Sequence, residues 1–293
     1  MTGQLDKIDS IANNSEKSDL TYLLELSKTL LVKNYAAINR DWWNKATPIH
    51  ASSKLYDLEK FKKGKTSLQA TEIQEVGNVR GKTLLHLLCH FGMDTLSWAR
   101  RGADATGVDI SDRSIRLARK LSREIGIPAK FICSDIHDLP KVLDKKFDII
   151  FASYGVLLWL SNIKKFAKIV NHFLSEKGMF YIVELHPFTN ILSCDLKIDY
   201  KYFQKGPHID DSNGTYTDWS ADIKGFTYNW NYTLEDIINS LINEGLKIEY
   251  IHEFPYTMYD QFPGLMEKNK KGQYVLKDKK IQIPLLFSLK ATK

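Results

Sequence analysis

Three cysteines in 293 residues, Cys89, Cys133 and Cys194, are too few and too scattered for a disulfide framework or a zinc cluster. An odd number of thiols fits a reducing compartment, so a cytoplasmic protein is expected. No run approaches the roughly 20 apolar residues that span a bilayer. The opening MTGQLDKIDSIANNSEKSD has no apolar core and does not read as a signal peptide. Glycine and proline, at 16 and 8 residues, are at ordinary levels, and with 43% hydrophobic residues they describe a soluble globular chain. A basic stripe is missing as well. The net charge is +6, but the lysines are dispersed among acids and the runs Lys60 to Lys65 and Lys268 to Lys271 are short. A solvated surface is therefore expected in preference to a nucleic-acid patch.

One further absence concerns the stretch from Leu84 to Val108, LLHLLCHFGMDTLSWARRGADATGV, which Asp109 closes. It reads as a buried strand, a sharp turn, a short helix and a second strand ending on an acid. An α/β sheet builds a nucleotide pocket in that order, because the turn exposes backbone N–H groups and the acid can hold two ribose hydroxyls. Where a dinucleotide fold needs G-x-G-x-x-G, however, this turn has Cys89, His90, Phe91 and Gly92. The expected ligand is a nucleoside without a pyrophosphate, and a dehydrogenase is disfavoured.

The remaining pattern predicts a doubly wound, mostly parallel seven-stranded α/β sheet, since strands and helices alternate from Thr83 onward. Strands are expected at Thr83 to Leu88, Ala105 to Val108, Lys130 to Cys133, Phe147 to Ala152 and Met179 to Glu184. Between them run helices over Asp94 to Arg101, after Ser111, and over Asn162 to Leu174, the last ended by Gly178. A helix at Leu234 to Asn243 and strands at Lys247 to Glu253 and Pro284 to Thr292 complete the unit, the last two strands antiparallel. Three regions follow: a flexible tail over 1–18, a helical N-terminal segment over 19–80 that covers the site, and a catalytic domain over 81–293. Insertions at about 186–230 and 255–280 form a cap.

On these residues the chain resembles class I S-adenosylmethionine-dependent methyltransferases, in the branch whose first motif reads CHFGxDTLSWAR. The resemblance covers about Asn34 to Lys293, including NRDWWNKATPIHASSKLYDLEKF and PLLFSLKAT. It implies S-adenosyl-L-methionine as cofactor and S-adenosyl-L-homocysteine as product. His86, Cys89, His90, Gly92, Asp94 and Thr95 would wrap the methionine part, with Leu88 and His90 where the common pattern has glycine. His86 stands in place of the usual acid, so either His86 and Asp94 hold the amino group, or His86 is an interior histidine and Asp94 a helix cap. Asp109 would take the ribose diol and Ile110 would flank the adenine. Ser134, Asp135 and Ile136 would hold and cover that ring, although an acid after a strand is also a common turn residue.

Methyl transfer from a sulfonium is an in-line displacement, so the protein mainly aligns the reactants and excludes water. A base is required only if the acceptor must lose a proton. Glu184 and His186, at the strand ends facing the crevice, are the leading candidates, with His50 as the alternative. Ser153 and Tyr154 sit where sulfonium and acceptor meet. Tyr154 and Trp159 either line the transfer channel or pack the core. Aromatic residues outside the sheet, Trp42, Trp43, Tyr56 and Tyr202 among them, suit a planar or apolar small acceptor, methylated at oxygen or nitrogen. The alternatives are methylation of a peptide or other macromolecule, and a non-catalytic cofactor-binding protein. No metal, nucleic acid or membrane partner is expected, and the protein is expected to be a monomer or homodimer.

Overall fold

Residues 35–211 and 213–293 are described by the computed structural model. The tail expected over 1–18 and the helical reading of residues 19–34 lie outside them. A helix, α1, occupies residues 35–52 and is followed by α2 (Leu58–Lys62) and α3 (Ala70–Val76). The alternating unit then runs β1 (Thr83–Leu87), α4 (Met93–Arg100), β2 (Asp104–Asp109), α5 (Asp112–Glu124), β3 (Lys130–Cys133), β4 (Phe147–Ser153), α6 (Ile163–Phe173) and β5 (Leu174–Leu185). After it come the hairpin β6 (His208–Asp210) and β7 (Thr227–Asn229), then α7 (Leu234–Asn243) and β8 (Lys247–Phe254). A second hairpin, β9 (Met266–Lys268) and β10 (Tyr274–Leu276), precedes β11 (Leu286–Thr292).

The main sheet has the order β3-β2-β1-β4-β5-β11-β8, with β11 antiparallel to both of its neighbours. Its centre is built from near-continuous apolar runs such as FDIIFAS because helices cover both faces. Leu84, Ile149, Phe151, Tyr181 and Val183 pack on one face against Val76 of α3 and Trp98 of α4. Leu85, Ile150, Phe180 and Ile182 pack on the other against Phe166 of α6 and Ile237 and Leu241 of α7. Each such side chain, taken from water, contributes about 1.5–3 kcal/mol. Helix starts are fixed locally: Ser111 Oγ accepts the Ser114 N–H at 3.0 Å, and Asn162 Oδ1 accepts that of Lys165 at 2.9 Å. Caps of this kind contribute about 1 kcal/mol each.

Gly178 departs from expectation. The helix before it stops at Phe173, and β5 begins at once at Leu174, so Gly178 lies within the strand instead of closing the helix. It sits where the register of β4 and β5 shifts, and a Cβ there would be 2.9 Å from the Phe147 carbonyl oxygen and 2.8 Å from Leu174 Cδ1. A close approach of backbone to backbone, not a helix end, accounts for the glycine. The two insertions carry the short hairpins β6–β7 and β9–β10.

Candidate active site

The turn after β1 keeps a glycine-loop path without the glycines. Leu88, His90 and Gly92 have φ of 54°, 50° and 79°, an alternating series of left-handed residues. For a side-chain-bearing residue that conformation costs about 1–2 kcal/mol, so neighbouring groups must hold it. The Cys89 N–H donates to Val108 O at 2.8 Å, and the His90 N–H donates to Asp109 Oδ2 at 2.8 Å. The replacements at 88 and 90 thus change what covers the turn, not its course. Gly92 has no such freedom: a Cβ would lie 2.5 Å from Phe131 Cε1 and 3.0 Å from Ala118 Cβ. Gly92→Ala is expected to destabilise the protein by about 2–4 kcal/mol, from left-handed strain plus overpacking. Urea denaturation checks this, and a loss under about 1 kcal/mol would contradict it.

Four carboxyls stand around the strand ends, Glu72 and Glu184 buried and Asp94 and Asp109 half-buried. Asp109 closes β2, with Oδ2 taking the His90 N–H and Oδ1 the Ser111 N–H at 2.8 Å. Asp94, in the first turn of α4, accepts from Ser153 Oγ at 3.0 Å. Glu72 of α3 accepts the Gln69 N–H at 2.7 Å and the Tyr154 hydroxyl at 2.9 Å. Glu184 near the end of β5 accepts the N–H groups of Gly155, Val156, Leu157 and Leu185. Burial pushes all four upward, Asp109 to about 6 and Glu72 to about 7. Among the described residues no lysine or arginine neutralises any of them. Desolvated carboxyls met only by neutral donors suit a cationic ligand.

Several residues expected to touch the cofactor lie under the turn instead. His86 is buried, with Nδ1 2.8 Å from Thr95 Oγ1 and Nε2 3.4 Å from Ser153 Oγ, so it ties β1, α4 and β4 together as an interior histidine. Burial lowers it to about 3, and it is neutral. Thr95 is its buried partner, and Cys89 packs behind the turn against Gly107, its thiol pushed up by burial. Asp109, Ile110, Ser134, Asp135 and Ile136 are brought together at the ends of β2 and β3, where the Ser134 N–H donates to Asp109 O at 3.0 Å. Asp135 also caps the following turn, spending Oδ1 on the His137 N–H at 2.8 Å. Tyr154 has φ of 52° and reaches Glu72, so a left-handed residue again marks the site.

The two leading base candidates are engaged elsewhere. Glu184 spends its oxygens on four backbone N–H groups, and His186 Nδ1 accepts the Phe188 N–H at 3.1 Å while Nε2 lies 2.9 Å from Glu253 Oε1 on β8. Both shape the strand ends. His50, in contrast, stands in an aromatic cluster with Trp43 (ring centroids 5.6 Å), Tyr56 (5.8 Å), His90 (5.2 Å) and Tyr216 (4.6 Å). Trp159 stacks on Trp42 at 5.7 Å and meets Trp43 edge-on at 5.1 Å, joining the same wall. Tyr202 is not part of it: the ring packs on Phe203 and its carbonyl accepts from Asn231 Nδ2 at 3.3 Å. Tyr216, bonded to Tyr56 hydroxyl to hydroxyl at 2.5 Å, and Tyr259, 5.6 Å from the Tyr216 ring, come from the two insertions in its stead. Tyr216 belongs to the aromatic residues expected outside the sheet, whereas Tyr259 and Glu72 were not anticipated from the sequence. The only local signal of Glu72 is the capping box with Gln69.

Helix α1 is latched beside Asp109. Asn44 Nδ2 donates to Asp112 Oδ1 at 2.7 Å, Asn44 Oδ1 accepts from Ser111 Oγ at 2.7 Å, and Thr47 Oγ1 meets Ser114 Oγ at 2.8 Å. The N-terminus of α5, next to Asp109, is thereby covered by the same helix that carries Trp42, Trp43 and His50.

Comparisons with known proteins bear on the fold. Residues 85–182 match the family model described as a methyltransferase domain. The ubiquinone biosynthesis O-methyltransferase of Chromobacterium violaceum is 26% identical over 124 residues, 41% of this chain and 48% of that protein. The chain thus spans about half the length of the curated relatives it matches. A putative S-adenosylmethionine-dependent methyltransferase from Listeria monocytogenes superposes with a TM-score of 0.55 at 18% identity, covering 76% of this chain and 95% of that one. One from Mesorhizobium loti gives 0.54 at 20%, covering 76% and 98%. The fold is the one these S-adenosylmethionine-dependent methyltransferase structures share, and residues 85–182 match the methyltransferase-domain model.

Proposed function

We propose that the protein is an S-adenosyl-L-methionine-dependent methyltransferase acting on an oxygen or nitrogen of a small acceptor, with S-adenosyl-L-homocysteine as product. The carrying observation is the Asp109 carboxylate at the end of β2, each of whose oxygens accepts one backbone N–H. A carboxylate oxygen has room for a second bond, so the pair can take both hydroxyls of a ribose. The donor set fits the cofactor in charge as well. Asp94, Glu72 and Asp109 form a desolvated, uncompensated acidic surround for a ligand that carries an ammonium and a sulfonium.

When bound, the cofactor supplies an electrophilic methyl group on a cationic sulfur. The chain's own work is placement and the exclusion of water. Helix α1 and the tyrosines of both insertions close the acceptor side, and the aromatic wall of Trp42, Trp43, Tyr56 and Trp159 suits a planar or apolar molecule. Oxygen is favoured as nucleophile by the name of the Chromobacterium relative. No described helix is long and apolar enough to cross a membrane, and no described group of His, Cys, Asp and Glu could hold a metal ion. Titration calorimetry with the methionine and homocysteine forms of the cofactor, followed by methyl transfer to a panel of hydroxylated and amino-bearing small molecules, tests the reading. Binding with turnover of the panel is expected. Label appearing only in protein or RNA would overturn the acceptor class, and absence of binding would overturn the cofactor.

A further inference from the structure

The hydrogen-bond partners of His50 fix which of its nitrogens carries the proton. Thr47 Oγ1 lies 2.7 Å from Trp43 O, and since a carbonyl only accepts, the threonine hydroxyl donates there. The 2.8 Å contact between Thr47 and Ser114 must then be made with the Ser114 proton. With that proton spent, Ser114 Oγ can only accept from His90 Nδ1, 3.0 Å away. His90 is neutral, because burial holds it well below the usual histidine range, so its other nitrogen, Nε2, is a bare acceptor. His50 Nδ1 lies 3.0 Å from His90 Nε2 and, more distantly, 3.4 Å from the Tyr216 hydroxyl; since His90 Nε2 brings no proton to the shorter contact, Nδ1 must supply it. His50 is neutral as well, lowered by burial to about 3, and its single proton is therefore on Nδ1.

What remains is His50 Nε2, a lone pair shut away from solvent, with no hydrogen-bond partner among the described residues. Buried acceptors left unmet are uncommon and costly, and they mark places where a ligand or water completes the structure. This one sits on a ring walled by Trp43, Tyr56 and Tyr216. A relay of four oriented groups, ending on the carbonyl of Trp43, holds the acceptor in place. We infer that His50 Nε2 receives the hydroxyl hydrogen of a neutral, planar phenol-like acceptor and takes its proton as the methyl group is transferred.

This inference rests on the methyltransferase reading above and names its substrate class. The bond from the acceptor oxygen to the methyl carbon forms as the carbon–sulfur bond breaks, the electron pair of which stays on sulfur. The hydroxyl proton passes to Nε2, so the positive charge lost at sulfur reappears on the imidazole. Net charge among Asp94, Asp109 and Glu72 is thus unchanged across the step. A strong base is not needed, because a hydroxyl being alkylated becomes far more acidic than an imidazolium while the new bond forms. Ser114, Thr47 and His90 act through His50 and are positioning residues.

Long-range proton–nitrogen spectra of the full-length protein, with 15N-labelled histidine and His50 assigned through His50→Gln, test this without turnover. The ligand-free protein should show His50 with a protonated Nδ1 and a bare Nε2, and Ser114→Ala should mix the two tautomers. In the presence of S-adenosyl-L-homocysteine, phenol should move the Nε2 resonance upfield, as accepting a hydrogen bond does, and anisole, which has no hydroxyl hydrogen, should not. A protonated Nε2 in the unaltered protein overturns the inference. So does an Nε2 resonance that saturating phenol leaves in place, or that anisole moves equally. Failure of S-adenosyl-L-homocysteine itself to bind is a separate result, and it counts against the cofactor assignment.

Discussion

Replacing Glu184 by alanine is expected to lower the free energy of unfolding by about 3–5 kcal/mol. For a chain of this size the melting temperature should fall by roughly 10 °C. Glu184 is 3% exposed and lies one residue from the end of β5. Its Oε2 accepts the N–H groups of Val156 at 2.7 Å and Leu157 at 3.0 Å, and its Oε1 accepts those of Gly155 and Leu185. Three of these donors belong to the bend after β4, where Tyr154 and Gly155 both have left-handed φ, 52° and 77°. Alanine would leave a set of backbone donors in the interior without acceptors, and water has little access to them. Glu184→Gln keeps one acceptor oxygen and should fall between alanine and the unaltered protein. Thermal melts of the three proteins check the order, and an alanine variant melting within about 2 °C of the parent would refute the anchoring role.

That anchoring could not be read from the sequence, and the reason is instructive. An acid at the crevice end of a central strand has the position of a base, and position is all that sequence order reveals. Whether its oxygens are free depends on the path of the next loop, here the bend at Tyr154. His186 shares this fate through the Phe188 N–H and Glu253, one of which is local and the other on a strand 67 residues further on. The position of Asp109, by contrast, was legible because it is set locally: a strand ends there, and Ser111 caps the helix that follows. The fold was legible for the same reason, since the order of strands and helices follows from period and punctuation.

Glu72, Tyr216 and Tyr259 had no comparable local signature. They reach the site from α3 and from the two insertions, and only tertiary packing brings them to Tyr154, Tyr56 and each other. The turn at Leu88 and His90 is an intermediate case. Its residue types argue against a glycine loop, yet its backbone follows one, because Asp109 and the rings around His90 hold conformations that propensity alone would reject. The motif was readable from the resemblance, which places Leu88 and His90 where the common pattern has glycine and keeps Gly92. The means of holding it was not.

Asp109→Ala is expected to weaken binding of S-adenosyl-L-methionine by about 1–3 kcal/mol, or about 5- to 150-fold, through loss of two charge-assisted bonds to the ribose. The same carboxylate makes binding depend on pH. Burial holds it up at about 6, above the ordinary value of about 3.9. Between those values the folded protein binds more protons than the unfolded chain, so ligand-free stability falls as pH rises through that window. Cofactor affinity runs the other way, since a cationic ligand and two ribose hydroxyls favour the ionised acid. Lowering the pH from 7 to 5 should weaken binding about tenfold through this group. Glu72, pushed up to about 7, titrates on the same side. The contribution of Asp109 is therefore isolated by the difference between the parent and Asp109→Ala curves, measured by calorimetry from pH 5 to 8. Parallel curves would remove Asp109 from the cofactor site, whereas curves that converge at low pH would identify it as the acid whose charge the ligand requires.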